Sequence, residues 1–230
     1  MDRINEFFDK LFNYIPGHFF GLLYFIIGFL GDLIALIISA LVGDYIMWEK
    51  SISVLGHQTG GIYLRGGLII SSIFSIPFII YIGRAVKHED VKENLRKITV
   101  SVGIFSSIVA ILTGTFSGVN EFISMLHGLF ALLSWIGGAI FCSLFGILMV
   151  RNPNFSKKAA YVGFIIAGIF ITYLIPFFIT NFCNLYTEIC YELGRTIYTV
   201  MPLYEWTVIF SILFWYLFYA SYLRYKNFEV

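Results

Sequence analysis

Residues Glu121 to Val150 read EFISMLHGLFALLSWIGGAIFCSLFGILMV, and after Glu121 the run holds no Asp, Glu, Lys or Arg. At about 1.5 Å per residue it is longer than ~30 Å of hydrocarbon requires, so it reads as a membrane-spanning helix. On a helical period His127, Ala131, Ser134, Gly138, Cys142 and Gly146 run along one face, while Leu126, Phe130, Leu133, Ile140 and Leu144 lie elsewhere. Lipid tails are as apolar as leucine, so helices in a bilayer associate by close backbone approach, which a ladder of small residues permits. The small stripe is therefore expected to be the packed side, and this helix the hub of the bundle.

Working outward, five further apolar stretches accompany it, at about Phe19 to Val42, Gly66 to Ile82, Ile98 to Thr115, Ala159 to Ile179 and Thr207 to Leu223. With 59% hydrophobic and 13% charged residues in 230, and a mean hydropathy of +0.84, the composition excludes an ordinary soluble domain. The expected fold is all-α: six transmembrane helices in a compact bundle spanning residues 19–225, preceded by an amphipathic interfacial helix over residues 1–16. That first segment sets Ile4, Phe7, Phe8, Leu11, Phe12 and Ile15 at helical spacing, opposite Asp2, Arg3, Glu6, Asp9, Lys10 and Asn13, before Pro16-Gly17 breaks the pattern. It shows no signal-peptide pattern.

Lys and Arg accumulate on the cytoplasmic side of membrane proteins. Twelve of the fifteen fall in the N-terminal segment, the connections around residues 84–97 and 151–158, and the tail. Lys50, Arg65 and Arg195 fall on the other side. The split predicts a multi-pass protein of the cell membrane with both termini cytoplasmic. A net charge of +1 with no basic patch argues against a nucleic-acid partner. Membrane lipids, a second copy of the chain or another membrane protein are the expected partners, and nothing in the sequence calls for a metal or cofactor.

Asp32 has apolar residues on both sides and is expected near mid-membrane, where a carboxyl is costly. Gly28, Asp32, Ala35, Ser39 and Gly43 share a face, which turns the acid into the bundle. It reads either as a functional acid or as a protonated group bonded to a hydroxyl that locks two helices. Ser75 and Ser106 stand at its expected level. Pro77 and Pro176 sit inside apolar runs and are expected to kink their helices.

The outer side supplies a second group of candidates. Ser51, Ser53, His57 and Arg65 lie in the glycine-rich connection after the first span, Asn120 and Glu121 in a short turn, and His127 one or two turns below it. Together they form a candidate ligand-binding polar cluster. If spans one and four are antiparallel, Asp32 is level with about Gly138, so Asp32 and His127 differ in depth by roughly 15 Å and are not expected to touch. Between the last two spans the spacing of Glu188, Glu192 and Arg195 fits one face of a short helix lying over the bundle. Cys183 and Cys190 fall on the side where a disulfide can form, though on a straight helix their spacing separates them by roughly 10 Å. Cys142 reads as a packing residue.

The stretch SISVLGHQTGGIYLRGG, Ser51 to Gly67, resembles the serine and Leu-Gly region of the prokaryotic membrane family known as domain of unknown function 998. GTFSGVNEFISMLHGLFALLSW resembles the same family's short outer turn leading into a helix with an early histidine. The resemblance carries over Ser51, Ser53, Leu55, Gly56 and His127. It departs at Val54, where that family often has an acid. A looser likeness to the six-span FRAG and DRAM group implies lipid-related work.

Three functions compete. The first is a non-enzymatic protein that binds a lipid or membrane partner through its outer polar face, and it requires nothing that the sequence lacks. The second is a small proton- or cation-coupled transporter using Asp32, although no internal repeat supports it. The third is a lipid hydrolase or transferase with His127 or His57 as base. No HExxH or GxSxG string occurs, and the predicted topology divides the four histidines between the two sides of the membrane, so no catalytic residue is assigned. The first reading is preferred.

Overall fold

A computed structural model describes the chain apart from Met1, Asp44, Val119, Thr187 and residues 227–230, and apart from the side chains of Asp2, Ile4 and residues 181–191. The described residues form an all-helical bundle. Its elements are α1 (Asp2–Tyr14), α2 (His18–Val42), α3 (Ile52–Leu55), α4 (Gly61–Ala85), α5 (Glu93–Thr115), α6 (Glu121–Arg151), α7 (Lys157–Tyr186) and α8 (Glu188–Tyr225). Six of them, α2 and α4 to α8, are long and apolar enough to cross a membrane.

Each long helix packs against its neighbours in sequence, and α8 returns to α2, so the six close into a ring. Helix α6 is thus one stave among six, flanked by α5 and α7, and not the expected hub. The small stripe on α6 serves two purposes. Its upper part, His127 to Gly138, faces the centre of the ring. Lower down, a Cβ built on Gly146 would meet the Phe164 ring at 2.9 Å, so the stripe there receives α7. A close fit of two backbones that depends on glycine on both sides lies between α2 and α4. A Cβ on Gly31 would stand 2.8 Å from the Gly67 Cα, and one on Gly67 would stand 2.9 Å from the Gly31 Cα.

The end of the ring that carries α1 is filled with aromatic side chains. Trp215 of α8 is fully buried and meets Phe78 of α4, Phe141 and Phe145 of α6, and Tyr219 of its own helix. Tyr219 ties α8 to α7 by donating to the Ala159 carbonyl at 2.7 Å. Buried Asn152 donates to the Val86 carbonyl at 3.1 Å across the base. Helix α1 docks by one face. Phe12 is buried against Phe20 and Tyr81, and Arg84 holds Asp9 and the Asn5 carbonyl, while Phe7 and Tyr14 stay exposed.

At the opposite end the connection after α2 folds back over the ring. The short helix α3 starts at Ser51, whose Oγ accepts from the Val54 N–H at 3.3 Å, and it buries Leu55 beneath it. The expected short helix around residues 188–195 is instead the beginning of one continuous α8, which runs through Pro202. Both α7 and α8 extend past the apolar runs that marked them in the sequence. Cys183 and Cys190 lie outside the residues whose side chains are described.

Candidate functional site

The serines and threonines that face the ring satisfy themselves along their own helices. Ser106 donates to the Val102 carbonyl at 2.9 Å, Ser107 to Gly103 at 2.9 Å, Thr113 to Val109 at 2.9 Å and Ser71 to Leu68 at 3.2 Å. Between helices, Ser75 Oγ of α4 meets Ser107 Oγ of α5 at 2.6 Å, and the Tyr216 hydroxyl of α8 bonds to both serines. Because the serines and threonines are short and turned back, small faces oppose one another across the centre of the ring. A cavity of about 150 Å³ remains, lined by residues from α2 to α8. That is near the volume at which an apolar protein cavity accepts a benzene-sized guest.

Toward α3, three of the predicted outer residues meet in the wall of this cavity: Ser53, Arg65 and His127. The His127 Nδ1 lies 2.9 Å from the Thr113 carbonyl oxygen. A carbonyl only accepts, so these partners assign the proton to Nδ1 and leave the Nε2 lone pair facing outward. Ser53 Oγ stands 3.4 Å from that Nε2. Arg65 donates through Nη1 to the Ser117 carbonyl at 3.1 Å and through Nε to Gly61 at 3.4 Å. Among the described residues no carboxylate pairs with Arg65. His57 is exposed beside this group, outside the lining. Partial desolvation, and then the proximity of His127 and of the Arg65 cation, hold its imidazole below the ordinary value of 6.5.

The other predicted members do different work. Ser51 caps α3, and Asn120 caps α6 by accepting from the Phe122 N–H at 2.9 Å. Glu121 is exposed in the first turn of α6. Asp32 lines the deeper part of the same cavity. Only 7% exposed, it forms no hydrogen bond or ion pair among the described residues, so the expected bond to Ser75 or Ser106 is not made. No bond joins Asp32 to His127, as the depth estimate required. The two nevertheless share one continuous space, where two separate sites were expected.

Glu205 went unrecognised as a site residue, because its place before the last apolar run reads as an outer surface charge. It is buried, accepts from the Ile52 N–H at 2.8 Å, and receives the Tyr173 hydroxyl at 3.3 Å. Tyr45 and Trp206 brace the approach to α3 from a second side. Tyr45 donates to the Lys50 carbonyl at 2.8 Å and accepts from Trp206 Nε1 at 3.3 Å, and burial pushes its phenol up to about 12. Ser53 is therefore carried on a strap anchored to α8, with Tyr173 of α7 holding the Glu205 carboxyl from behind. Among the described residues no cluster of three His, Cys, Asp or Glu side chains is arranged to hold a metal ion. Compared with known proteins, the chain matches no family model, and no curated protein or solved structure matches it.

Proposed function

We propose that this multi-pass protein binds an anionic amphiphile, with its head group against Arg65, His127 and Ser53 and its adjoining carbon atoms among Leu68, Ile209 and Ile212. The observation that carries the reading is Arg65, a cation in the cavity wall with no carboxylate partner among the described residues. A guanidinium keeps its charge and offers five N–H donors, and here two serve carbonyls, which leaves donors for an anion. The volume suits a head group and the first carbons of a chain, not a whole diacyl lipid. The twelve-to-three division of Lys and Arg supports an orientation with both termini cytoplasmic and this site toward the outer leaflet.

The test is thermal unfolding in a nonionic detergent with dodecyl phosphate or dodecyltrimethylammonium. At about 100-fold its Kd, a ligand bound only by the folded state stabilises by about 2.7 kcal/mol. Dodecyl phosphate is expected to raise the Tm of the wild type and to do so far less in Arg65→Gln. Equal shifts with the cationic amphiphile, or an undiminished shift in Arg65→Gln, would contradict the reading.

A second reading draws support from Asp32, a buried carboxyl without a hydrogen-bonded or ionic partner among the described residues, which lines the same space. It would make the cavity a proton- or cation-linked path. Counter-transport of protons in proteoliposomes, abolished by Asp32→Asn, is the result that would favour it.

A further inference from the structure

We infer that Ser53 and His127 form a nucleophile and base pair for acyl transfer from a carboxylic ester of the amphiphile class proposed above. The inference rests on that reading for its substrate but on separate geometry for its chemistry. A hydroxyl becomes a useful nucleophile when a neighbouring base can take its proton and a third group holds the base in the right tautomer. All three parts are present. The Thr113 carbonyl holds the Nδ1 proton of His127 at 2.9 Å, the basic Nε2 faces Ser53 Oγ at 3.4 Å, and both side chains line the cavity. The distance is at the long end for such a pair, as is common before substrate binds.

The environment favours the same assignment. Ser53 lies on a four-residue helix braced by Glu205 through the Ile52 N–H, so it is held in the cavity wall. A purely structural tie between α3 and α6 would leave no reason for the pair to face a space that also holds Arg65.

The step balances without any further reactant than water. Ser53 Oγ adds to the ester carbonyl carbon as His127 Nε2 takes its proton, which gives a tetrahedral oxyanion in the field of Arg65. Collapse breaks the bond to the alcohol oxygen, which leaves with the proton from the imidazolium, and the acyl group stays on Ser53. Water then adds to the acyl-serine, giving its proton to Nε2. Cleavage of the Oγ–acyl bond returns that proton to Ser53 and releases the carboxylic acid.

The experiment treats the detergent-solubilised full chain with an alkyl fluorophosphonate and maps adducts by peptide mass spectrometry. Attack by Ser53 Oγ on phosphorus expels fluoride, with the proton passing to His127. Labelling is expected at Ser53, absent in Ser53→Ala, and slowed on the order of 100-fold in His127→Gln, the scale of a lost general base. In case Ser53→Ala does not fold, Ser53→Cys supplies a second measurement. The thiol it introduces is expected to react with iodoacetamide at least 10-fold faster with His127 present than in the double variant with His127→Gln. A folded wild type unlabelled at Ser53, or labelling as fast in His127→Gln, would overturn the inference. Dodecyl phosphate stabilisation is scored separately on the same wild type. A thermal shift without labelling removes the catalytic inference alone, whereas labelling without a shift supports the nucleophile and removes the anionic-amphiphile reading.

Discussion

The same six helices are packed in two different ways at the two ends of the ring. Toward α1, Trp215, Phe78, Phe141 and Phe145 fill the centre, and Tyr219 and Asn152 close the base with bonds between elements. Toward α3, many of the facing residues are glycines, serines and threonines whose hydroxyls turn back on their own helices, and among larger side chains such as Trp135 and Tyr216 the centre is left as a cavity. One end gains dispersion from aromatic contact. The other leaves open space beside its rings, and facing that space are a tautomer-fixed His127 and, without a carboxylate or hydrogen-bonded partner respectively among the described residues, Arg65 and Asp32. The difference teaches that the stability of this bundle and its candidate chemistry are carried by different halves of the same helices.

Substitutions should separate the halves. The largest effect is expected at Trp215. Trp215→Ala removes a fully buried ring from the centre of the aromatic plug and should cost about 3 to 5 kcal/mol, read by unfolding in detergent. Trp215→Phe should cost much less, because the Trp215 Nε1 has no hydrogen-bond partner to lose. Equal losses in the two would break the comparison at its packed end.

Glu205→Ala comes next. It strands the Ile52 N–H and the Tyr173 hydroxyl, a loss of about 1 to 3 kcal/mol for each unsatisfied buried group, and it should loosen α3 first. Hydrogen exchange should rise at Ile52 to Leu55 with little change around Trp215, and Glu205→Gln, which keeps an acceptor, should be milder. A rise spread evenly along α8 would show that the two ends are not independent.

Asp32→Leu should act in the opposite direction. It removes a carboxyl buried without a partner and fills part of a cavity, so stability should rise by about 1 kcal/mol. A clear loss of Tm would mean that Asp32 has a bonded partner and that this end is packed like the other.

The smallest effect concerns pH. His57 in the folded protein binds its proton below the ordinary value of 6.5, so the unfolded chain holds more proton there, and stability falls as pH drops through 6.5. Affinity for dodecyl phosphate should change the other way, rising as His57 becomes a cation beside His127 and Arg65. His57→Gln should flatten both profiles relative to the wild type, and profiles that coincide with the wild type would remove His57 from the site.

Much of the fold was legible because span length and hydropathy are local properties. The run from Glu121 to Val150 became α6, Glu121–Arg151, and the docked amphipathic α1 followed from the spacing of Phe8, Leu11 and Phe12. The ends of α7 and α8 were not legible, because hydropathy fades past Ile179 and before Thr207 while the helical backbone continues through polar residues. The candidate site was legible as a set of residues, with Ser53, Arg65 and His127 brought together. The cavity was not. Small faces bring adjacent helices together, as Gly31 meets Gly67, but where Ser71, Ser72, Ser75, Ser106 and Ser107 face the centre of a six-helix ring they leave part of it unfilled. Glu205 escaped notice because an acid beside a span reads the same whether it meets water or a buried backbone N–H from 153 residues away.

Photo-crosslinking would show whether the α3 half of the ring encloses an anionic amphiphile. A dodecyl phosphate bearing a diazirine near its head would be irradiated with the protein in detergent, with and without excess unlabelled dodecyl phosphate. Adducts are expected on cavity residues such as Leu68 and Ile212, suppressed by the competitor. Adducts confined to outward-facing residues such as Ile70 and Phe214, and unaffected by competitor, would contradict that enclosure.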